Sequence, residues 1–258
     1  MESNSKYHQL PILDGLELLD AKSHILDFPF HTHETFNIAL ILISTFNTKL
    51  SDKFLKAPVG TLSITNPKEV HATPCDKDLG NSFFTYYVSP EAIKTFNNGV
   101  EVFFEDKIIY DQQLFGEFYA LSKNITHTNF EKRLSQVLKV LVEKYTSPMR
   151  FNFQTRNLFQ EFINETTFEK FSLSKTAHQF GISKFKFLRL FKNETGLTPN
   201  HYILLKRIEK SKKMLKEGKP VFDVAIDCNF YDKSHFYKNF KRFTGVNPSE
   251  YQNAALLS

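Results

Sequence analysis

Three histidines, His31, His33 and His71, make up the cluster in the N-terminal half whose residue types and spacing could do chemistry. Imidazoles two residues apart on a strand project to the same side, so His31-x-His33 with a third ring on a facing strand could hold zinc, iron or manganese. The same rings could instead line a small-molecule effector pocket, or be structural or solvated. Catalysis needs a convergent acid, base or nucleophile, and the sequence offers none. It also has neither a phosphate-cradling P-loop nor a GxGxxG turn. No enzymatic activity and no cofactor are expected.

A second set of residues points to a polyanion. Ser183 to Tyr202 (SKFKFLRLFKNETGLTPNHY) matches Asp232 to Tyr251 (DKSHFYKNFKRFTGVNPSEY) at an offset of 49 without a gap, and eight of the twenty positions are identical. In each copy an apolar stripe at helical spacing (Phe187, Leu190, Phe191; Phe236, Phe240, Phe243) leaves another face made of Lys184, Phe185, Lys186, Leu188, Arg189 and Lys192, or of Lys233, Ser234, His235, Tyr237, Lys238 and Lys241. Such cationic, hydrogen-bonding and aromatic side chains suit phosphates and base edges. Charge supports this. Met1 to Met149 carries 14 basic and 18 acidic residues, net −4, whereas Arg150 to Ser258 carries 19 and 10, net +9.

The elements that must position the second set follow from its punctuation. Ser183 and Asp232 are N-cap residues, Gly196 and Gly245 are helix stops, and Pro199 and Pro248 open the next helix. A short periodic helix precedes each copy (Leu173, Ala177, Phe180; Val221, Ala225, Ile226), with Gly181 or Asn229, two residues tolerant of positive φ, at the turn. Short helix, tight turn and second helix make a helix-turn-helix, here twice. Pro199 to Lys216 reads as one helix of about 27 Å, close to a turn of B-DNA, held by Ile203, Leu204, Ile208 and Leu215.

Residues from Gln154 to Tyr251 resemble the DNA-binding domain of AraC/XylS-type transcription regulators, through Leu173, Ala177, Gly181, Ser183, Arg189, Phe191, Lys192, Gly196, Pro199, Tyr202 and Arg207, then Ala225, Phe230, Ser234, His235, Phe236, Phe240, Lys241, Gly245, Pro248 and Tyr251. Asn229 departs from the usual glycine, and Phe185, Lys186 and Leu188 leave the operator open. The resemblance implies that Phe185, Leu188 and Arg189 enter one major groove, and Ser234, His235, Tyr237 and Lys238 the next.

Composition bounds the rest. A chain of 258 residues, 41% apolar and 24% charged, is neither disordered nor fibrous, and its length suggests two domains. The longest apolar run, Ile38 to Ile43, is far too short to span a bilayer, so a cytoplasmic protein with no membrane partner is expected. Two distant cysteines, Cys75 and Cys228, fit a reducing compartment.

Upstream, Phe36 to Thr45, Thr61 to Thr65 and Phe83 to Val88 read as strands of a small barrel or jelly roll. His31-x-His33 before a long strand, followed by Gly60, Pro67 and His71, resembles the cupin-type effector domain of the same regulators. A metal-binding cupin would add a carboxylate soon after His33; Asn37 and Ile38 stand there and Glu34 comes too early, so no metal is expected. Asp111 to Tyr145 reads as a helical hairpin striped by Leu134, Val137, Leu138, Leu141, Val142 and Tyr145, either packed on the barrel or, as the resemblance implies, a dimer seam. Thr146, Ser147 and Pro148 then break the helix and begin a linker.

The expected fold is α+β: a cupin-like barrel over residues 1–111, a hairpin over 112–148 and an all-α double helix-turn-helix domain over 149–258. The expected function is a sequence-specific transcription regulator with promoter DNA, a small-molecule effector, RNA polymerase and a second copy as partners. The alternatives are a metal-dependent cupin enzyme with a nucleic-acid-binding appendage, and a constitutive DNA-binding protein whose barrel has lost its ligand.

Overall fold

Period-two alternation along the central strands decides how the N-terminal region is layered. In the computed structural model, which describes residues 4–148, 159 and 171–256, the chain divides into two compact units between Phe151 and Asn152. In the first unit, β1 (Asn4–Leu10), β2 (Leu16–His24), β4 (Phe36–Ile43), β7 (Leu62–Thr65), β9 (Asn81–Val88) and β11 (Ile108–Ile109) form an antiparallel sheet in the order β1-β2-β9-β4-β7-β11. A second sheet runs β3 (Phe28–His31), β8 (His71–Thr73), β5 (Phe46–Lys49), β6 (Phe54–Ala57). On the larger sheet Leu18, Ile38, Leu40, Ile64, Phe84 and Tyr86 face three helices, α1 (Pro90–Thr95), α2 (Gln112–Ser122) and α3 (Phe130–Tyr145), and make one core with Ile93, Phe118, Leu134, Leu138 and Leu141. Tyr86, fully buried, donates its hydroxyl to the Phe118 carbonyl at 2.8 Å.

The opposite face meets the second sheet through aromatic rings: Phe46 packs on Phe83 at 5.0 Å, Phe28 on Phe83 at 6.3 Å and His33 on Tyr87 at 5.3 Å between centroids. Of the expected barrel or jelly roll, the structure has the two-sheet form. Among the described residues no strand pairing joins one sheet to the other. A register shift between Ile41 and Ile43 and a left-handed Ser44 (φ 63°) end β4 and turn the chain into β5 of the second sheet.

The hairpin stripe is buried within its own unit, Leu134, Leu138 and Leu141 completely, so it is not exposed for a second copy. Asp111 fastens the hairpin at both ends. Its carboxylate caps α2 by accepting from the Leu114 N–H (2.9 Å) and accepts from the Tyr145 hydroxyl (2.9 Å) and Lys144 (3.3 Å) at the end of α3. Thr146 ends α3 in an extended conformation. Ser147–Pro148 then form β12, paired with β10 (Val102–Phe103), which corrects the expectation that a linker begins there.

The second unit is helical: α4 (Leu173–Gln179), α5 (Lys184–Thr195), α6 (Pro199–Lys216), α7 (Val221–Asp227), α8 (Lys233–Thr244) and α9 (Pro248–Leu256). The expected start of this domain, from residue 149 or Gln154, lies outside the described residues. Ser183 accepts from the Lys186 N–H to cap α5, and Asp232 from the His235 N–H to cap α8. Gly196 (φ 74°) and Gly245 (φ 82°) end these helices in the left-handed conformation. Phe187 and Phe191 are buried beneath α5, Phe236 and Phe240 beneath α8. Two stripe positions differ from expectation. Leu190 is exposed, because the Phe187–Phe191 pair already fills the inward arc of α5, and Leu204 is only half-buried while its neighbour Leu205 takes the inward position on α6.

Candidate functional site

The inward packing of α5 and α8 leaves two outward faces in matching register. On α5, Lys184, Phe185, Lys186, Arg189 and Lys192 are exposed and Leu188 is half-buried; on α8, Lys233, Ser234, His235 and Lys238 are exposed and Tyr237 and Lys241 half-buried. Each pair from Lys184/Lys233 to Lys192/Lys241 keeps the offset of 49. Phe185 is 72% exposed, an unusual position for a large apolar ring and one suited to a base methyl group. Tyr237 is tethered, its hydroxyl 2.8 Å from the Ser249 Oγ.

The two turns are alike except for one inserted residue. Gly181 (φ 64°) and Asn229 (φ 56°) both reverse the chain in the left-handed region. The residue after each returns its N–H to an alanine carbonyl, Ile182 to Ala177 (3.1 Å) and Phe230 to Ala225 (3.0 Å). Ser183 follows at once in the first copy, whereas Tyr231, 91% exposed, precedes Asp232 in the second. The ungapped sequence match starts only after this residue, so the insertion was not visible in it.

Helix α6 joins the copies as one unbroken rod of 18 residues and packs on α5, α7, α8 and α9. Arg207 donates to the Asn229 carbonyl (3.0 Å) and Lys210 to the Asp227 carbonyl (3.0 Å), which satisfies acceptors that α7 and its turn leave open. The rod is thereby keyed to the second helix-turn-helix.

The structure also brings the three histidines together. His31 ends β3 and stands directly opposite His71, the first residue of β8. The ring centroids are 4.4 Å apart for His31–His71, 4.6 Å for His31–His33 and 5.3 Å for His33–His71. Burial pushes the His71 pKa below the usual imidazole range, so this ring favours the neutral form; the bond to the Glu69 carbonyl opposes that only in part. Sequence reasoning missed three neighbours. Tyr87 lies against His33, with burial and then the charge of Glu17 raising its pKa. Tyr7 donates its hydroxyl to Glu17, and Lys107, buried, pairs with Glu69 at 3.0 Å. The alternation of Phe83, Thr85 and Tyr87 along β9 carried the signal for Tyr87; the other two depend on pairings that the local sequence does not encode.

A duplicated helix-turn-helix with two outward cationic faces, in a chain that also carries a β-sandwich unit, defines a DNA-binding protein. Residues 176–254 match the family described as a helix-turn-helix domain. The chain is 25% identical over 251 residues to the uncharacterized HTH-type transcriptional regulator YbfI of Bacillus subtilis, covering 91% of this chain and 90% of that protein. It is likewise 25% identical over 178 residues to the probable transcriptional regulator LumQ of Photobacterium leiognathi, covering 68% of this chain and 64% of LumQ, just under two thirds. In fold it resembles ToxT of Vibrio cholerae, with a TM-score of 0.56 at 10% identity over 98% of this chain and 97% of that one. The C-terminal region thus carries a helix-turn-helix domain of the AraC type, and the relatives that the chain is similar to are transcriptional regulators.

Proposed function

We propose that α5 and α8 read promoter DNA in two successive major grooves, with Phe185, Leu188 and Arg189 meeting base edges in one and Ser234, His235, Tyr237 and Lys238 in the other, while Lys184, Lys186, Lys192, Lys233 and Lys241 hold phosphates. The observation that carries this reading is the equal register of the two outward faces at the ends of one rigid rod. The sandwich unit serves as the sensor, with a small-molecule effector at His31, His33 and His71 biasing DNA binding. A small-molecule effector is favoured by the likeness in fold to ToxT, which has been solved with an unsaturated fatty acid bound. Among the described residues no helix is long and apolar enough to cross a membrane, and the proposed setting is the cytoplasm, with RNA polymerase as a partner at the promoter and no catalytic role. Pairing of two copies would use the outward faces of α2 and α3, where Val140 is exposed, because the apolar stripe is covered by its own sheet.

The test is protection of the chain's own promoter region by the full-length protein across a salt series. Sequence-selective protection that weakens steeply with salt, as counterions released from several phosphates require, supports the reading. Retention that is insensitive to sequence and salt overturns it.

A further inference from the structure

The histidine triangle has more internal order than an effector contact needs. One nitrogen from each ring can be chosen so that all three lie within 4.8 Å of one another. A tetrahedral ion with bonds of about 2.1 Å holds its ligand nitrogens about 3.4 Å apart, so rings tilting inward by about an ångström would seat one. Hydrogen bonds select which nitrogen faces in. His31 Nδ1 lies 2.6 Å from the Pro29 carbonyl and His71 Nδ1 2.9 Å from the Glu69 carbonyl. A carbonyl only accepts, so Nδ1 carries the proton in both rings and a neutral ring offers the lone pair of Nε2. Metal-binding imidazoles are oriented in this way.

The anchor of His71 is itself fixed. The Glu69 carboxylate accepts from Lys107 (3.0 Å) and from the Asn66 N–H (3.1 Å), so Glu69 is held with its carbonyl accepting from the His71 ring and its carboxylate engaged elsewhere. Two of the imidazoles are buried and the third, His33, is half-buried, which gives the triangle one side open to exchange.

We propose that His31, His33 and His71 form a three-imidazole site for a divalent transition ion of the zinc type, with a fourth position for water or an anionic group of the effector. It rests on the reading of this cluster as the sensory site. The absence of a carboxylate after His33 argued against metal on sequence alone. Here Asn37 accepts from the Thr35 hydroxyl, and three nitrogens suffice for a site of this kind.

The experiment uses untagged full-length protein, stripped with a chelator and titrated with Co2+ and then Zn2+. One equivalent of Co2+ should bind with visible d–d bands that Zn2+ abolishes, and zinc should raise the melting temperature. His33→Ala and His71→Ala should each lower the affinity at least a hundredfold, while His127→Ala, an exposed histidine elsewhere, should bind as the parent does. His33 is half-buried, so its variant decides the matter even if His71→Ala fails to fold. Parent protein without the bands, or His33→Ala binding as the parent does, overturns the proposal. Promoter affinity measured with candidate metabolites in zinc-free buffer separates the two readings. A metal-free protein that answers a metabolite, and loses the answer in His33→Ala, removes the metal and keeps the sensor. One equivalent of zinc without any change in promoter affinity keeps the metal and removes the sensor.

Discussion

Thr195 and Thr244 close their helices with the same hydrogen bonds. Each hydroxyl lies 2.8 Å from the carbonyl four residues back, Phe191 or Phe240, and 3.0 Å from the carbonyl two residues on, Leu197 or Val246, whose N–H it also accepts. Replacement by Val keeps the shape and leaves that N–H without its partner. Thr195→Val and Thr244→Val should each lose about 1 to 3 kcal/mol, more at the buried Thr244. Urea denaturation followed by helical circular dichroism checks this; unshifted midpoints would show that the shared cap is incidental.

Arg189→Ala and Lys238→Ala should each cost about 1 to 3 kcal/mol on the best operator and relax base preference in one half-site only. Lys192→Ala and Lys241→Ala should weaken all sequences alike and flatten the salt dependence by about one phosphate each. Binding to a randomised operator library measures both. Identical sequence preferences for the two classes of variant would contradict the division into base and phosphate contacts.

Gly181 and Asn229 occupy the same left-handed position, and a Cβ on Gly181 would meet no atom within 4 Å. Gly181→Ala therefore isolates the backbone term and should destabilise by about 1 to 2 kcal/mol. Asn229→Ala should cost a similar amount, and Asn229→Gly should be close to neutral. Thermal unfolding of the three variants decides, and a neutral Gly181→Ala would refute the turn assignment.

Asp111 gives a pH signature. The Leu114 N–H, then Tyr145 and Lys144, hold its pKa below the usual carboxylate value against some desolvation. A depressed carboxylate stabilises the fold fully above the unfolded pKa of about 4 and loses that contribution as pH falls through its own lower value. Asp111→Ala should cost about 1 kcal/mol at neutral pH. The gap between variant and parent should close in acid, and a gap constant from pH 7 to pH 2 would exclude the linkage.

The second unit was readable to within a residue or two because its signals are local. Ser183, Gly196, Pro199 and their partners at 232, 245 and 248 fix caps and stops by chemistry that acts over three or four residues. Leu190 and Leu204 misled because a stripe of period 3.6 does not say how wide the buried arc is. The sandwich was harder. Strands β4 and β9 stand out as apolar runs, but which sheet β3, β5, β6 and β8 join depends on turns such as Ser44 whose conformation the residue type does not announce. The histidines were legible as a set, whereas the carbonyls of Pro29 and Glu69 that orient two of them were not.

Helix α6 sets a rotational phase as well as a distance. Each residue added to an α-helix advances it by about 1.5 Å and turns it by about 100°, so one extra residue within the rod would turn the second helix-turn-helix by that angle relative to the first. Seven extra residues would nearly restore the angle while lengthening the rod by about 10.5 Å, or about three base pairs. If α5 and α8 read one duplex as proposed, a lengthened rod fits only where the duplex offers a groove at the new distance and at the new angle together, because the groove itself turns once in about 10 base pairs.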